Sequence, residues 1–304
     1  MMKYQLLQLF QTMILLIMVT LSCGLASAGQ LHVYDPVPGL APSPFYSVRL
    51  RLAGEAEWSS VFSLVTECST GTLCDQSPGA GIWRHLANWS NTYVNFEMSD
   101  SGETVEIEIT KLWGEPLSSA VVHPAASATS CHVTEEGRAI VTINRPSLFA
   151  VDINGQMDDQ DTGKLPNNRT SQERGYYDGP PIHTLTIFAN TFLDNKPMLD
   201  DEGVYPVTPG EMPPEKGSWH TLYFLPGIHD IGHSFTLWQN KTYYIPGDAV
   251  IYGTMNNDIF EDAQNVTILG HGTISGDRLA HPTYSNLPEN EHWRYRYMLN
   301  TDLI

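Results

Sequence analysis

The sequence predicts an all-β protein, a β-sandwich followed by the first coils of a parallel β-helix, and three observations carry that prediction. From Leu31 to about Phe192, short apolar runs alternate with polar residues at period two, separated by turn residues. After Lys216 the pattern changes to short β-branched or aromatic runs that end in Gly or Pro-Gly and recur about every twenty residues. No window of comparable length shows a 3.6-residue apolar stripe, so little helix is expected.

Taken in chain order, residues 1–28 read as a secretory signal. Lys3 supplies the positive n-region, Met13 to Val19 the apolar core, and Ala26-Ser27-Ala28 a small-x-small cleavage site. The expected mature product is secreted, with no membrane segment. Export gives the cysteines a meaning. Cys23 leaves with the signal, while Cys68 and Cys74 flank a turn-like Ser-Thr-Gly-Thr-Leu insert that would let them close a small disulfide loop. Cys131 is left over, either a buried free thiol or one whose partner lies outside the chain. No CxxC or Cys/His ligand spacing appears, so no metal is expected. N-x-S/T sequons begin at Asn88, Asn168, Asn240 and Asn265, and glycosylation is expected in a eukaryotic host.

The sandwich is placed at 29–196. In Phe45 to Leu52 the apolar side chains alternate with Ser and Arg, and in Thr104 to Ile109 they alternate with Glu. Val141-Thr142-Ile143 and Ala150-Val151-Asp152-Ile153 follow the same rule, as expected of antiparallel strands with one face in a core and one in water. Asn154-Gly155 then marks a tight turn, and Asp158, Asp159 and Asp161 read as an exposed acidic loop, since they lack the ligand spacing and glycine of a calcium loop. A Pro-rich connection is placed at 197–217.

The coils are placed at 218–304. Thr221-Leu222-Tyr223-Phe224-Leu225-Pro226-Gly227 is echoed by Thr242-Tyr243-Tyr244-Ile245-Pro246-Gly247, and units ending at Gly253, Gly270 and Gly276 follow. Each turn of such a coil cannot bury its apolar face alone and must stack on the next. Glycine at the corners permits the positive φ that sharp bends need.

Charge narrows the partners. The 304 residues hold 34 acidic against 16 basic side chains, a formal net charge of −18, and loss of Lys3 makes it more negative. That balance argues against nucleic acid and anionic membranes, whose phosphates call for clustered Lys and Arg. It also disfavours a polyanionic substrate and points to a neutral one. No G-x-S-x-G elbow, P-loop, dinucleotide fingerprint or H-E-x-x-H helix is present.

Leu222 to His229, followed by Asn265-Val266-Thr267-Ile268-Leu269-Gly270-His271-Gly272-Thr273-Ile274-Ser275-Gly276, resembles the opening coils of polysaccharide-degrading β-helix enzymes. These motifs alone fit polygalacturonases and pectin-type lyases as well. The preceding all-β region narrows the choice: Asp152 to Asp159 and His183 to Asn190 make the chain similar to glycoside hydrolase family 49, the dextranase and isopullulanase family, over roughly residues 31–295. The resemblance implies an immunoglobulin-like sandwich packed on a right-handed parallel β-helix. It also implies internal hydrolysis of α-glucan, dextran at α-1,6 bonds or pullulan, with inversion and no cofactor. Inversion needs one carboxylic acid and one carboxylate about 6.5–9.5 Å apart, with a water between. Neighbouring coils about 4.8 Å apart supply such separations.

The family's catalytic aspartates lie on later coils, so the catalytic residues are expected beyond Ile304. Within the chain the candidate acids are Asp248, Asp258, Glu261, Asp262 and Asp277, and solvated corners explain most of them. Asp277, and Trp293 with Tyr295 and Tyr297 beside it, are carried as candidate substrate-binding residues, because flat aromatic faces suit the C–H faces of sugars. Trp219, Tyr223, Tyr243, Tyr244 and Tyr252 are expected in or beside strands, with core packing as their first role. Asn300-Thr301-Asp302 matches a polygalacturonase triplet but follows Gly270-His271-Gly272 in the wrong order, and is read as incidental.

The chain is thus expected to hold a sandwich and an unfinished solenoid of a secreted α-glucan hydrolase, monomeric when complete. Alone it is expected to be inactive on glucans or poorly soluble through an uncapped coil edge. A non-catalytic glycan-binding protein and a pectin-active hydrolase or lyase are the alternatives.

Overall fold

The structure is a computed structural model that describes residues 31–67, 89–155, 182–256, 264–276 and 299–300. The signal segment, Cys68, Cys74, Asn88, Asn168 and the Asp158–Asp161 run lie outside the described residues, as do Asp258, Glu261, Asp262, Asp277, Trp293 and Asp302. The described part is all β apart from a single 3-10 turn at Ala125–Ser127. No described helix is long and apolar enough to cross a membrane.

The sandwich has two sheets. One contains β1 (Leu31–Val33), β4 (Leu64–Glu67), β5 (Trp89–Met98), β7 (Ala120–His123), β10 (Ser147–Ile153) and β11 (Ile182–Thr191). The other runs in the order β3 (Ser59–Val61), β2 (Tyr46–Leu52), β6 (Val105–Lys111), β9 (Ala139–Ile143), β8 (Ser130–Val133). The alternation seen in the sequence is the alternation in burial. Val48, Leu50, Ile107, Ile109, Val141 and Ile143 point into one core, where Phe96, Phe149 and Leu185 of the first sheet meet them. The polar partners face outward, and in register: Arg49 opposes Glu108 and Arg51 opposes Glu106 across β2 and β6.

Most pairings are antiparallel, as expected, with one exception. β11 lies parallel to β5 from Ile182↔Trp89 to Thr191↔Met98. A two-residue alternation carries no sign of strand direction, which is why this pairing was not legible beforehand. The Asn154-Gly155 turn is present with positive φ at both residues. Asn154 Oδ1 accepts from the Ser118 amide at 2.8 Å while its Nδ2 donates to the Pro116 carbonyl at 2.9 Å, tying this turn to the strand entry at 116–119.

The coils form two parallel sheets around a second core. One sheet stacks β12 (Val204–Val207), β13 (Thr221–Phe224), β15 (Thr242–Ile245) and β17 (Thr267–Gly270). Thr221, Thr242 and Thr267 stand in one column. The other stacks β14 (Gly227–Thr236), β16 (Ala249–Asn256) and β18 (Thr273–Ser275), with β19 (Leu299–Asn300) beside the far end of β16. Leu222, Phe224, Tyr243, Ile245, Ile251 and Met255 fill the space between the sheets. Part of the Pro-rich stretch is itself a rung: β12 carries Pro206 at the outer edge of its sheet, where a residue without an N–H is tolerated.

Corner glycines serve two purposes. Gly270, at φ +117°, approaches the coil below so closely that a Cβ would stand 1.9 Å from the Ile245 carbonyl oxygen. At Gly247 the need is space rather than a special φ, because a Cβ there would stand 2.1 Å from the Tyr34 ring. The corner of a coil is thus shaped by a residue of the sandwich.

Candidate functional site

The alternation of β5 sends Val94, Phe96 and Met98 into the sandwich core and leaves Tyr93, Asn95 and Glu97 on its other face. That face meets the coils. Asn95 Nδ2 donates to the His271 carbonyl at 2.7 Å, and more weakly to the Gly247 carbonyl at 3.4 Å. The His271 Nδ1 lies 3.1 Å from Glu97 Oε1 and 3.1 Å from the Tyr34 hydroxyl. Tyr34 also hydrogen-bonds Glu97. Around this cluster the outward column Tyr223–Tyr244 packs with ring centroids 4.7 Å apart, and Lys196 Nζ lies 5.9 Å from the Tyr244 ring.

Burial dominates the electrostatics here. It raises the Tyr34 hydroxyl far above its ordinary value, helped by the charge and hydrogen bond of Glu97. It raises Tyr244 and Tyr223 as well, so these phenols remain donors rather than nucleophiles. His271 is held below the ordinary imidazole range by burial, against the opposing pull of Glu97. Asp248, half-buried at the same corner, is raised by burial and secondarily by Asp35. An upward-shifted carboxyl has the protonation property of a general acid. The crevice at the seam, between Tyr34, Asp35, Phe62, Tyr93, Asn95 and Gly247, has a volume of only about 10 Å³, room for roughly one water and far too little for a sugar ring. Chemically, this cluster fastens two parts of the chain.

A second cluster looks superficially catalytic. Ser90 Oγ lies 2.7 Å from His183 Nδ1, and the imidazole stacks on Phe45 at 3.7 Å with Trp113 edge-on at 4.3 Å. Yet Ser90 and His183 are register partners on β5 and β11, and Ser90 is 5% exposed. Burial of the hydroxyl denies a substrate access, so the pair is a cross-strand contact. His229 is likewise a core residue, donating Nε2–H to the Leu225 carbonyl at 2.7 Å and kept neutral by burial.

Trp219 and Tyr243 are interior to the coils, as core packing required, and Tyr223 and Tyr244 are buried in the seam. Asn240 and Asn265, both with positive φ, occupy equivalent exposed corners one rung apart, with Asn265 Nδ2 donating to Asn240 Oδ1 at 2.9 Å. Cys131 is a half-buried free thiol that contacts the Ala120 carbonyl at 3.4 Å. Asn300 is aligned with Asn256 on the neighbouring rung. Asp277 and Trp293, the candidate substrate-binding residues, lie outside the described residues. Among the described residues no cluster of three His, Cys, Asp or Glu could hold a metal. Sequence reasoning missed Tyr34, Asn95 and Glu97; the one available signal was His271 between two glycines, which points to a side chain held at a tight corner.

Architecture and seam together define a protein in which a β-sandwich is fastened to the opening coils of a parallel β-helix. The same fold occurs in Dex49A from Penicillium minioluteum, with a TM-score of 0.56 and 18% sequence identity over 81% of this chain. The chain spans about half of that protein, 48% of its length. No protein-family model and no curated protein sequence matches the chain.

Proposed function

We propose that this chain is the sandwich and early coil region of a secreted α-glucan hydrolase that cleaves dextran or pullulan internally with inversion. The observation that carries the reading is the order of parts: sandwich, connection and coils follow one another as one fold shared with Dex49A over 81% of the chain. The charge of −18 favours a neutral polysaccharide over a uronate polymer. The family resemblance implies that the catalytic carboxylates stand on later coils than those described.

The test compares the 304-residue chain with a chain extended through its downstream reading frame, each incubated with dextran, pullulan and polygalacturonate. New reducing ends from dextran or pullulan in the extended chain alone support the reading. Unsaturated uronate ends would indicate a lyase, and binding of glucan without cleavage by the extended chain would indicate a glycan-binding protein; either outcome overturns it.

A further inference from the structure

We propose that His271 makes the joint between sandwich and coils sensitive to acid. The joint is built from groups that reach it from several elements. β5 supplies Glu97 and Asn95, the segment after β1 supplies Tyr34, and β13 and β15 supply Tyr223 and Tyr244. The corner after β15 adds Asp248, with His32, Asp35 and Lys196 around it.

The imidazole is carried on a closely packed corner. Its backbone is pinned on both sides, because a Cβ at Gly270 would strike the Ile245 carbonyl and one at Gly272 would stand 2.2 Å from the Ile245 side chain. Its carbonyl is held by Asn95, and its ring and the Glu97 side chain are each only 14% exposed. In the neutral tautomer that carries its proton on Nδ1, the ring donates to the Glu97 carboxylate, which also accepts from the Tyr34 hydroxyl. Two neutral donors thus satisfy one buried acceptor. Protonation adds a cation in a place where little water can solvate it, and this burial outweighs the opposing pull of Glu97 at 3.1 Å.

The sign follows from linkage. A folded-state imidazole held below its unfolded value gives stability that is complete above the unfolded value of 6.5 and is lost as pH falls through it. Because His183 and His229 are shifted in the same direction, the difference between wild type and a variant isolates the joint.

Thermal unfolding of the 304-residue chain is followed at pH 7.5, 6.5 and 5.5, for wild type and for His271→Asn, whose amide keeps a donor near Nδ1 but does not titrate. The expected result is similar midpoints at pH 7.5 and a wild type that falls behind the variant by about 2–4 °C at pH 5.5. A constant difference across that range, or one that moves the other way, overturns the proposal. In parallel, NMR titration of the wild-type His271 ring decides the matter even if the variant does not fold. A midpoint below 6.5 supports the proposal, and one at or above 6.5 refutes it.

Discussion

In the sandwich, β9 alternates strictly between buried and half-exposed residues, whereas in the coils all four residues of β13 are buried. Both strands have two faces and a period of two. The difference lies in what covers the second face. On the outer face of β2 and β6, Arg49 and Arg51 lie over Glu108 and Glu106 and meet water, with Trp58 against them at 5.1 and 4.3 Å. The outward ring of Tyr244 on β15 instead interacts with Tyr34 and with Glu97 of β5, and Tyr223 of β13 packs on it at 4.7 Å. A solenoid wall that would otherwise be solvated has become a second interior, which is why Tyr223 and Tyr244 are buried without belonging to the coil core.

The comparison breaks most severely at Gly270. Gly270→Val adds a side chain where a Cβ would sit 1.9 Å from backbone and at a φ of +117°, so a loss of at least about 3 kcal/mol or failure to fold is expected. Gly54→Ala in the sandwich, with open space around it, is expected to lose only about 1 kcal/mol from its φ. Chemical denaturation of both variants measures the contrast.

Next in size is the claim that the seam behaves as an interior. Phe96→Ala in the sandwich core is expected to cost about 3–5 kcal/mol, and Tyr244→Ala a comparable amount, since both rings are almost fully buried. A cost below about 1 kcal/mol at Tyr244 would place that face back among ordinary surfaces.

The smallest effect belongs to the open face. Burial pushes the Glu108 carboxyl up, but Arg49 and Arg138 together hold it below the usual glutamate range. Its folded value is therefore depressed, and its contribution is present above pH 4.5 and lost as pH falls below that. Glu108→Gln is expected to cost about 1 kcal/mol at pH 7, because both arginines are more than one-third exposed, and the gap to wild type should close toward pH 3. A pH-independent gap in urea denaturation would contradict this assignment.

Much of this fold was legible from two periods: the strands at Tyr46–Leu52 and Val105–Lys111 follow from alternation of burial, and those at Thr221–Phe224 and Thr242–Ile245 from a repeat of about twenty residues with Pro-Gly corners. The parallel β5–β11 pairing was not, since direction leaves no trace in alternation. Nor was the seam. Tyr34 and His271 are 237 residues apart, and nothing local marks them as neighbours. The Pro-Gly corner at Gly247 was visible, but its cause, the ring of Tyr34, lies in the other part of the chain.

If this architecture serves inverting hydrolysis of an α-glucan, as proposed, the anomer first released reveals it. Proton NMR of dextran and pullulan, recorded during the first minutes of digestion by the extended chain, resolves the new reducing ends before mutarotation mixes them. β-Anomers are expected first, the consequence of a water attacking opposite an α-linked leaving group. α-Anomers first, or no new reducing ends from either glucan, would contradict it.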